Sequence, residues 1–362
     1  MPLINKLEIQ YLRNIKKISL SPNKDYNLFF GNNGSGKSSL LEAIGLISTG
    51  KSFRSHLKSR IITHGCEQMM LFASIVSNDG NQHKLGFTKI ADGKARLRID
   101  GQYSRNLAAA TKLLPLVLID PNSYALIERG PQQRRHYLDW GLFHVEPSFG
   151  QIFNDFQTCL KQRNAALKAQ AGRIICQTWD AELVTTAEKI TRLRKNYFHQ
   201  LEPHFKHILA ELALNLPIQS CYEQGWPEEM SLQEALEKSF AKDLALGCTS
   251  LGPQKADVSY LINRVQANDV LSRGQMKLTV SAMQFAQGRL YRKLTGNHCI
   301  YLIDDLTSEL DIVNRIKLFN LLAFIPGQFF ITATSKDVFA DLDTNNATMF
   351  HVEHGEIHTL LR

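Results

Sequence analysis

"LFFGNNGSGKSSLLEAIG", residues 28–45, passes from an apolar stretch through a glycine-rich one into an amphipathic one. Its centre, Gly31-Asn32-Asn33-Gly34-Ser35-Gly36-Lys37-Ser38, fits the pattern G-x-x-x-x-G-K-[ST]. Glycines let such a loop wrap until backbone N–H groups face a phosphate, and the helix that follows adds the partial positive charge of its N-terminus. Lys37 is expected to reach the β- and γ-phosphates of a nucleoside triphosphate, and Ser38 to ligate Mg²⁺. "YNLFF" (26–30) reads as a buried strand running into the loop, which is the setting the pattern requires. Motors, transporters, kinases and DNA clamps all use this loop, so the class must be read elsewhere in the chain.

The bulk numbers narrow it a little. A chain of 362 residues makes one large domain or two modest ones, and 44% hydrophobic residues supply a sizeable core. The net charge of +8 favours an anionic partner, nucleic acid or a membrane surface. The longest apolar run, "LLPLVLI" (113–119), falls far short of the ~20 residues a helix needs to cross a bilayer, so no membrane partner is expected. The N-terminal stretch has no signal-peptide core and reads as strands. Six cysteines are scattered without a C-x-x-C pair, which points to reduced thiols in a cytoplasm and away from zinc.

Periodicity divides the chain in three. Residues 1–120 are strand-rich, with Asp92-Gly93 and Asp100-Gly101 as turn signals. Residues 121–249 read as a helical lobe: a helix opened by Gly130-Pro131, then a hairpin arm of two long helices (148–170 and 178–201), then a helix over 230–246. From 250 to 362 the α/β pattern returns, with strands at 299–304 and 327–334 and a closing hairpin turning at Glu353-His354-Gly355. The expectation is an α/β ATPase core built from both chain ends and interrupted by the helical lobe.

"YLIDDLTSELD" (301–311) supplies the second half of a nucleotide site. A buried strand ends in Asp304, placed to hold Mg²⁺ through water, and Asp305, placed to orient or polarise an attacking water. The plain alternative is a helix start that favours acids. "LSRGQ" (271–275) then opens a long apolar-patterned helix some thirty residues ahead of Asp304. It resembles the signature of the ATP-binding-cassette superfamily. By that resemblance Ser272 and Gly274 contact the γ-phosphate held by another protomer, Gln275 belongs to the same nucleotide-binding signature, ATP joins a head-to-tail homodimer, and "SELD" (308–311) resembles the D-loop at the same interface. The plain alternative is a serine-capped helix with no ligand.

Over nearly its full length the chain resembles the RecF family of bacterial recombination-repair ATPases, whose fold is an ABC-type, SMC-like P-loop core. The matching stretches are "LRNI" (12–15), the P-loop, "GKSFRSHLKSRIITHG" (50–65), "IERGPQQRRHYLDWGLFHVEPSF" (127–149), "LKQRNAALK" (160–168), "LGPQKAD" (251–257), "LSRGQ" and "LIDDLTSELD". The resemblance implies an ATP-dependent DNA-binding protein that dimerises on ATP, hydrolyses it slowly, and acts at single-strand gaps and stalled forks. It also implies RecO and RecR as partners, help in loading RecA, and a part in the SOS response. Three departures stand out. Gln254 replaces the histidine of the family's GPH motif, Asp305 is one methylene shorter than the glutamate of many cassette ATPases, and "FFITATSKD" offers Thr332 and Thr334 where transporters carry a switch histidine. Gln132 and Gln133 are candidates for a Q-loop glutamine.

Two basic runs, Lys51, Arg54, Lys58 and Arg60 after the first helix and Arg192, Arg194 and Lys195 on the arm, are candidates for sequence-independent contacts with duplex, gapped or single-stranded DNA. Solvated helix faces are their plain alternative. His351, His354 and His358 read as a hairpin surface rather than a metal site. Two other functions stay open: the nucleotide-binding subunit of a transporter, and a scaffold that binds ATP only to dimerise.

Overall fold

The computed structural model describes residues 2–54, 61–77, 79–305, 310–342 and 345–361. Lys58, Arg60 and the Ser308-Glu309 half of "SELD" lie outside them. The chain forms two compact units, one of residues 1–123, 210–213 and 273–362, the other of residues 124–209 and 214–272.

The first unit begins with β1 (Leu3–Leu12), β2 (Ile15–Leu20), β3 (Tyr26–Phe30), α1 (Lys37–Thr49), β4 (Gln68–Val76), β5 (Gln82–Ile90), β6 (Ala95–Ile99), β7 (Gln102–Ser104), α2 (Leu107–Leu113) and β8 (Leu116–Ile119). The second unit holds α3 (Ala125–Glu128), α4 (Pro131–Val145), α5 (Phe149–Lys168), α6 (Arg173–Gln177), most of α7 (Asp180–Glu211), β9 (Ile218–Glu223), α8 (Leu232–Leu246), β10 (Asp257–Ile262), β11 (Val265–Gln266) and α9 (Ala267–Val270). The chain then returns to the first unit with α10 (Arg273–Thr295), β12 (Ile300–Ile303), α11 (Ile312–Leu322), β13 (Gln328–Ala333), β14 (Ala347–Glu353) and β15 (Glu356–Leu361).

Two six-stranded sheets build the first unit. One is antiparallel, in the order β2-β1-β4-β5-β6-β7. β4 and β5 alternate strictly and β1 does so on either side of a bulge between Ile4 and Lys6: Ile4, Leu7, Ile9, Leu71, Ala73, Ile75, Leu85 and Phe87 point inward, while the outer face is mainly polar apart from Met70 and Phe72. The other has the order β15-β14-β3-β13-β12-β8, parallel except for β15. Its central strands are buried on both faces and mainly apolar, as parallel strands covered on both sides are, with Gln328 and Thr332 of β13 as buried polar members. Helix α1 is buried along nearly its whole length and shares one apolar cluster with both sheets, joining Leu40, Ile44 and Ile47 to Ile9, Leu71 and Phe330. The aromatic rings of Phe29 and Phe350 stack at 4.8 Å, as do those of Tyr301 and Phe329. Gly288 of α10 lets the helix lie on β12, since a Cβ there would come within 2.0 Å of the Tyr301 hydroxyl.

The second unit corrects two readings. The stretch 121–249 is not helical throughout, for β9 falls inside it and joins β10 and β11 in a three-stranded antiparallel sheet. "IQSCYE" buries only Ile218 and Tyr222, and its partner strand lies more than thirty residues downstream, so local periodicity was too short to show it. The long second helix of the arm is also not over by residue 201. It runs to Glu211 through Pro203, which costs one backbone hydrogen bond but leaves the buried face of Phe198, Leu201, Phe205 and Ile208 unbroken. Helix α8 starts where a capping box predicts, with Ser231 and Glu234 bonded reciprocally.

Candidate nucleotide site

The phosphate loop joins β3 to α1 at the carboxyl edge of the parallel sheet, the edge where α/β proteins bind ligands. Gly31, Gly34 and Gly36 all have positive φ. Gly31 has no alternative, because a Cβ there would lie 2.1 Å from the Val352 carbonyl oxygen. Two neighbouring turns brace the loop from outside. The Asn14 amide, in the turn between β1 and β2, donates to the Gly34 carbonyl at 3.0 Å, and the Gly355 N–H donates to the Ser35 carbonyl at 2.8 Å.

Lys37 is buried and donates to the carbonyls of Gly31 at 2.7 Å and Asn32 at 2.9 Å. Burial lowers its pKa from the ordinary lysine value, while Asp305 and Asp304 pull it back up. Ser38 donates to Asp304 at 2.9 Å, so two residues 266 positions apart meet at one point. Thr332 of β13 bridges the two acids: its hydroxyl donates to Asp304 at 2.7 Å and accepts the Asp305 N–H at 2.8 Å. Burial raises the Asp304 carboxyl above the usual range, opposed by the Thr332 and Ser38 hydrogen bonds. Asp305 is left-handed, with φ 52°, and its carbonyl accepts from Lys277 at 2.8 Å. That conformation costs an Asp about 1–3 kcal/mol, and it sits beside the group expected to face the nucleophile.

Sequence reasoning missed the flank of the site. Glu42 of α1 is fully buried, accepts Arg13 through both carboxylate oxygens at 2.5 and 2.7 Å, and also takes the Ser52 hydroxyl. Arg54, read as a DNA contact, instead lies along α1 with its guanidinium 3.2 Å from the Ser39 hydroxyl and 3.7 Å from Glu42. The "R" of "LRNI" and the "E" of "LLEAIG" were the available signals, but their pairing spans 29 residues. The resulting cavity, about 230 Å³, is lined by Arg13, Asn14, Asn33, Gly34, Gly36, Lys37, Ser38, Ser39, Arg54, Asp304, Asp305, Thr332 and Thr334. The three cations Arg13, Lys37 and Arg54, together with the Ser38–Asp304 hydroxyl–carboxylate pair, suit a polyphosphate bound with a hard divalent cation. Ser38 Oγ and Asp304 fit Mg²⁺, which takes one or two protein oxygens and completes its shell with phosphates and water.

The remaining sites fall elsewhere. Ser272 is exposed immediately ahead of α10, and Gly274 and Gln275 form its first turn, so the signature sits on a helix start. Gly274 and Gln275 are not among the described residues that line the cavity. Gln132 and Gln133 begin α4 in the second unit. There Gln254 donates to the Leu251 carbonyl at 2.7 Å. Arg194 is corrected: it is 3% exposed, paired to Asp139 at 2.7 and 2.8 Å, and donates to the Pro253 carbonyl, so no donor group is turned to solvent for a phosphate. Arg192 and Lys195 are exposed on α7, and Lys51 is exposed just past α1. Arg134 and Arg135 bond Asp257 and the Ala256 carbonyl. His351 stacks on Phe30 and is paired across the hairpin with His358. Among the described residues no group of three or more His, Cys, Asp or Glu could hold a metal, and no helix is long and apolar enough to cross a membrane.

The model of the RecF/RecN/SMC N-terminal domain matches residues 3–358. DNA replication and repair protein RecF of Vibrio parahaemolyticus is 39% identical over 359 residues, covering 99% of this chain and 100% of the relative. The chain belongs to the RecF family. RecF of Vibrio cholerae is 40% identical, with 99% of each chain covered. The solved structure of the recombination mediator protein RecF-ATP in the RecFOR pathway superposes with a TM-score of 0.88 at 26% identity, over 99% of this chain and 98% of that one. An Smc head bound to the C-terminal winged-helix domain of ScpA shares the fold, with a TM-score of 0.63 at 16% identity. The core of this RecF-family chain is therefore an ABC-type, SMC-like ATPase fold.

Proposed function

We propose that this chain is an ATP-dependent DNA-binding protein of recombinational repair and replication restart. One observation carries the reading: Ser38 of the phosphate loop bonds Asp304 at the end of the next sheet strand but one, with Lys37 lining the same cavity, in a member of the RecF family. In this reading ATP-Mg²⁺ lies on residues 31–38, with Mg²⁺ at Ser38 and Asp304 and the attacking water at Asp305. The two chain ends form the nucleotide unit and the middle forms the lobe. Ser272, Gly274 and Gln275 close on the γ-phosphate of a second copy, so that ATP builds a homodimer and its slow hydrolysis opens it. That dimer binds DNA at single-strand gaps in the cytoplasm and acts with RecO and RecR to load RecA and support SOS induction. RecF-ATP of the RecFOR pathway, close to this chain in fold, supports the assignment.

The test is the anisotropy of a labelled gapped duplex titrated at fixed salt without nucleotide, with ADP and with ATP. Tightening with ATP alone is expected. Equal binding in all three states would detach the phosphate loop from DNA capture. A second reading, a scaffold that binds ATP without turning it over, is favoured by the short and conformationally constrained Asp305, and a turnover assay separates it.

A further inference from the structure

The outer face of the antiparallel sheet is used by nothing described so far. Register places Ser19, Glu8, Phe72, Gly86, Arg98 and Tyr103 in one row across it, from β2 to β7. The next row is Lys17, Gln10, Met70, Thr88 and Arg96, and on the other side Lys6, Ser74 and Lys84 align. Lys6, Lys17, Lys84, Arg96 and Arg98 are all exposed. The carboxylate within these rows, Glu8, is already held by Lys6 at 2.6 Å. Asp79, Asp92 and Asp100 lie at the turns and are bonded locally to Asn81, Lys94 and His83. The middle is open at Gly86: among the described residues, a Cβ built there would meet only the Cβ of Arg98, at 3.7 Å. Strands about 4.8 Å apart put Lys17 and Arg96, four steps from one another, about 19 Å apart, enough to cross several phosphates.

The geometry points to this face as a docking surface for the phosphate backbone of duplex DNA, an assignment that rests on the DNA-binding reading above and names where the DNA lies. Cations interleaved with Ser19, Gln10, Ser74 and Thr88 are the side chains that contact phosphates without reading bases. A single strand would need open rings on which to stack bases. Of the two rings in these rows, Phe72 is half-buried in the middle of the sheet, and the exposed one, Tyr103, is capped by Arg98, whose guanidinium lies 4.3 Å over it and donates to its hydroxyl at 2.5 Å. Tyr103 therefore fixes an arginine outward. The face carries the phosphate-binding half of a nucleic-acid site without the base-stacking half, which suits a duplex whose bases are turned inward.

The test is the full-length triple variant Lys84→Ala/Arg96→Ala/Arg98→Ala, compared with wild type in ATP-Mg²⁺. Anisotropy is read on a blunt duplex and on oligo-dT over a salt series, and the affinity for a fluorescent ATP analogue serves as the fold control. The expected result is unchanged nucleotide affinity and a duplex affinity lower by ~10-fold or more. The slope of log K against log salt should fall by about two to three, since each phosphate contact contributes about 0.9. Unchanged duplex affinity with intact nucleotide binding would overturn the assignment, and so would a loss confined to oligo-dT or equal on both forms. A wild-type protein that binds no DNA at all would instead sink the DNA-binding reading itself, before the variant is consulted.

Discussion

At the scale of single residues, Asp304 links folding to function. Its carboxyl is mostly buried and its pKa is raised by that burial, so the ionised form costs the folded state free energy. The sign follows from linkage. A raised carboxyl is fully tolerated below its unfolded value near 3.8, and the cost enters as pH rises through the folded value. Asp304→Asn keeps an oxygen to accept from Ser38 and Thr332 but carries no charge. Without nucleotide, its melting temperature is expected to exceed that of wild type at pH 8 and to converge on it toward pH 4, with each kcal/mol appearing as about 2–4 °C. The same variant is expected to lose Mg²⁺-dependent nucleotide binding. A lower melting temperature at pH 8 would mean that Asp304 is favourably ionised without a cation. The trade of stability for a cation site is common where charge must be waiting for a ligand.

At the scale of elements, the second unit is held by buried arginines. Arg163 of α5 is fully buried and bonds Asp180 at the start of α7, Asp243 of α8 and the Thr249 hydroxyl, so one guanidinium ties three helices to the loop that leads into β10. Arg163→Met is expected to cost about 3–5 kcal/mol in urea unfolding, because Asp243 is left buried without its cation. A loss under about 1 kcal/mol would show that Ser239 and Ser250 suffice for Asp243. Neither Arg163 nor Arg194 could be told in the sequence from a solvated helix cation. Both sit in stretches rich in polar residues, and their acids lie 17 to 80 positions away. The same distance rule separates what was readable from what was not. The phosphate loop is eight contiguous residues, and the strand into Asp304 is four, so chemistry and setting were both visible locally. Strands β3, β4, β5, β12 and β13 announced themselves by apolar runs or strict alternation. By contrast β9 pairs with a strand across an intervening helix, Thr332 reaches Asp304 only through sheet order, and Arg13 of the turn after β1 meets Glu42 of α1 across 29 residues.

At the scale of the whole molecule, the nucleotide cavity has the components for one side of a phosphate chain. Cations, loop glycines, Ser38 and Asp304 all come from the first unit, while the signature begins an exposed helix start outside the lining. Helix α10 has 23 residues, and its first turn offers N–H groups and partial positive charge to an anion. If that anion is the γ-phosphate on a second copy, two identical half-sites complete each other with two-fold symmetry, and nucleotide binding and dimerisation are separable events. Ser272→Arg tests the separation. It puts a long cation where a small hydroxyl is needed and leaves residues 31–38 untouched. The variant is expected to bind ATP within about two-fold of wild type, whereas its dimer, measured by sedimentation with ATP and Mg²⁺, weakens by at least ~10-fold, or about 1.4 kcal/mol. A stable ATP dimer of Ser272→Arg would mean that the helix start does not close on a partner's nucleotide. Loss of ATP binding together with the dimer would place Ser272 in the site of its own chain. Only the separated outcome makes ATP the joint between two copies, and a joint that dissolves on hydrolysis lets a clamp release DNA without any change inside either unit.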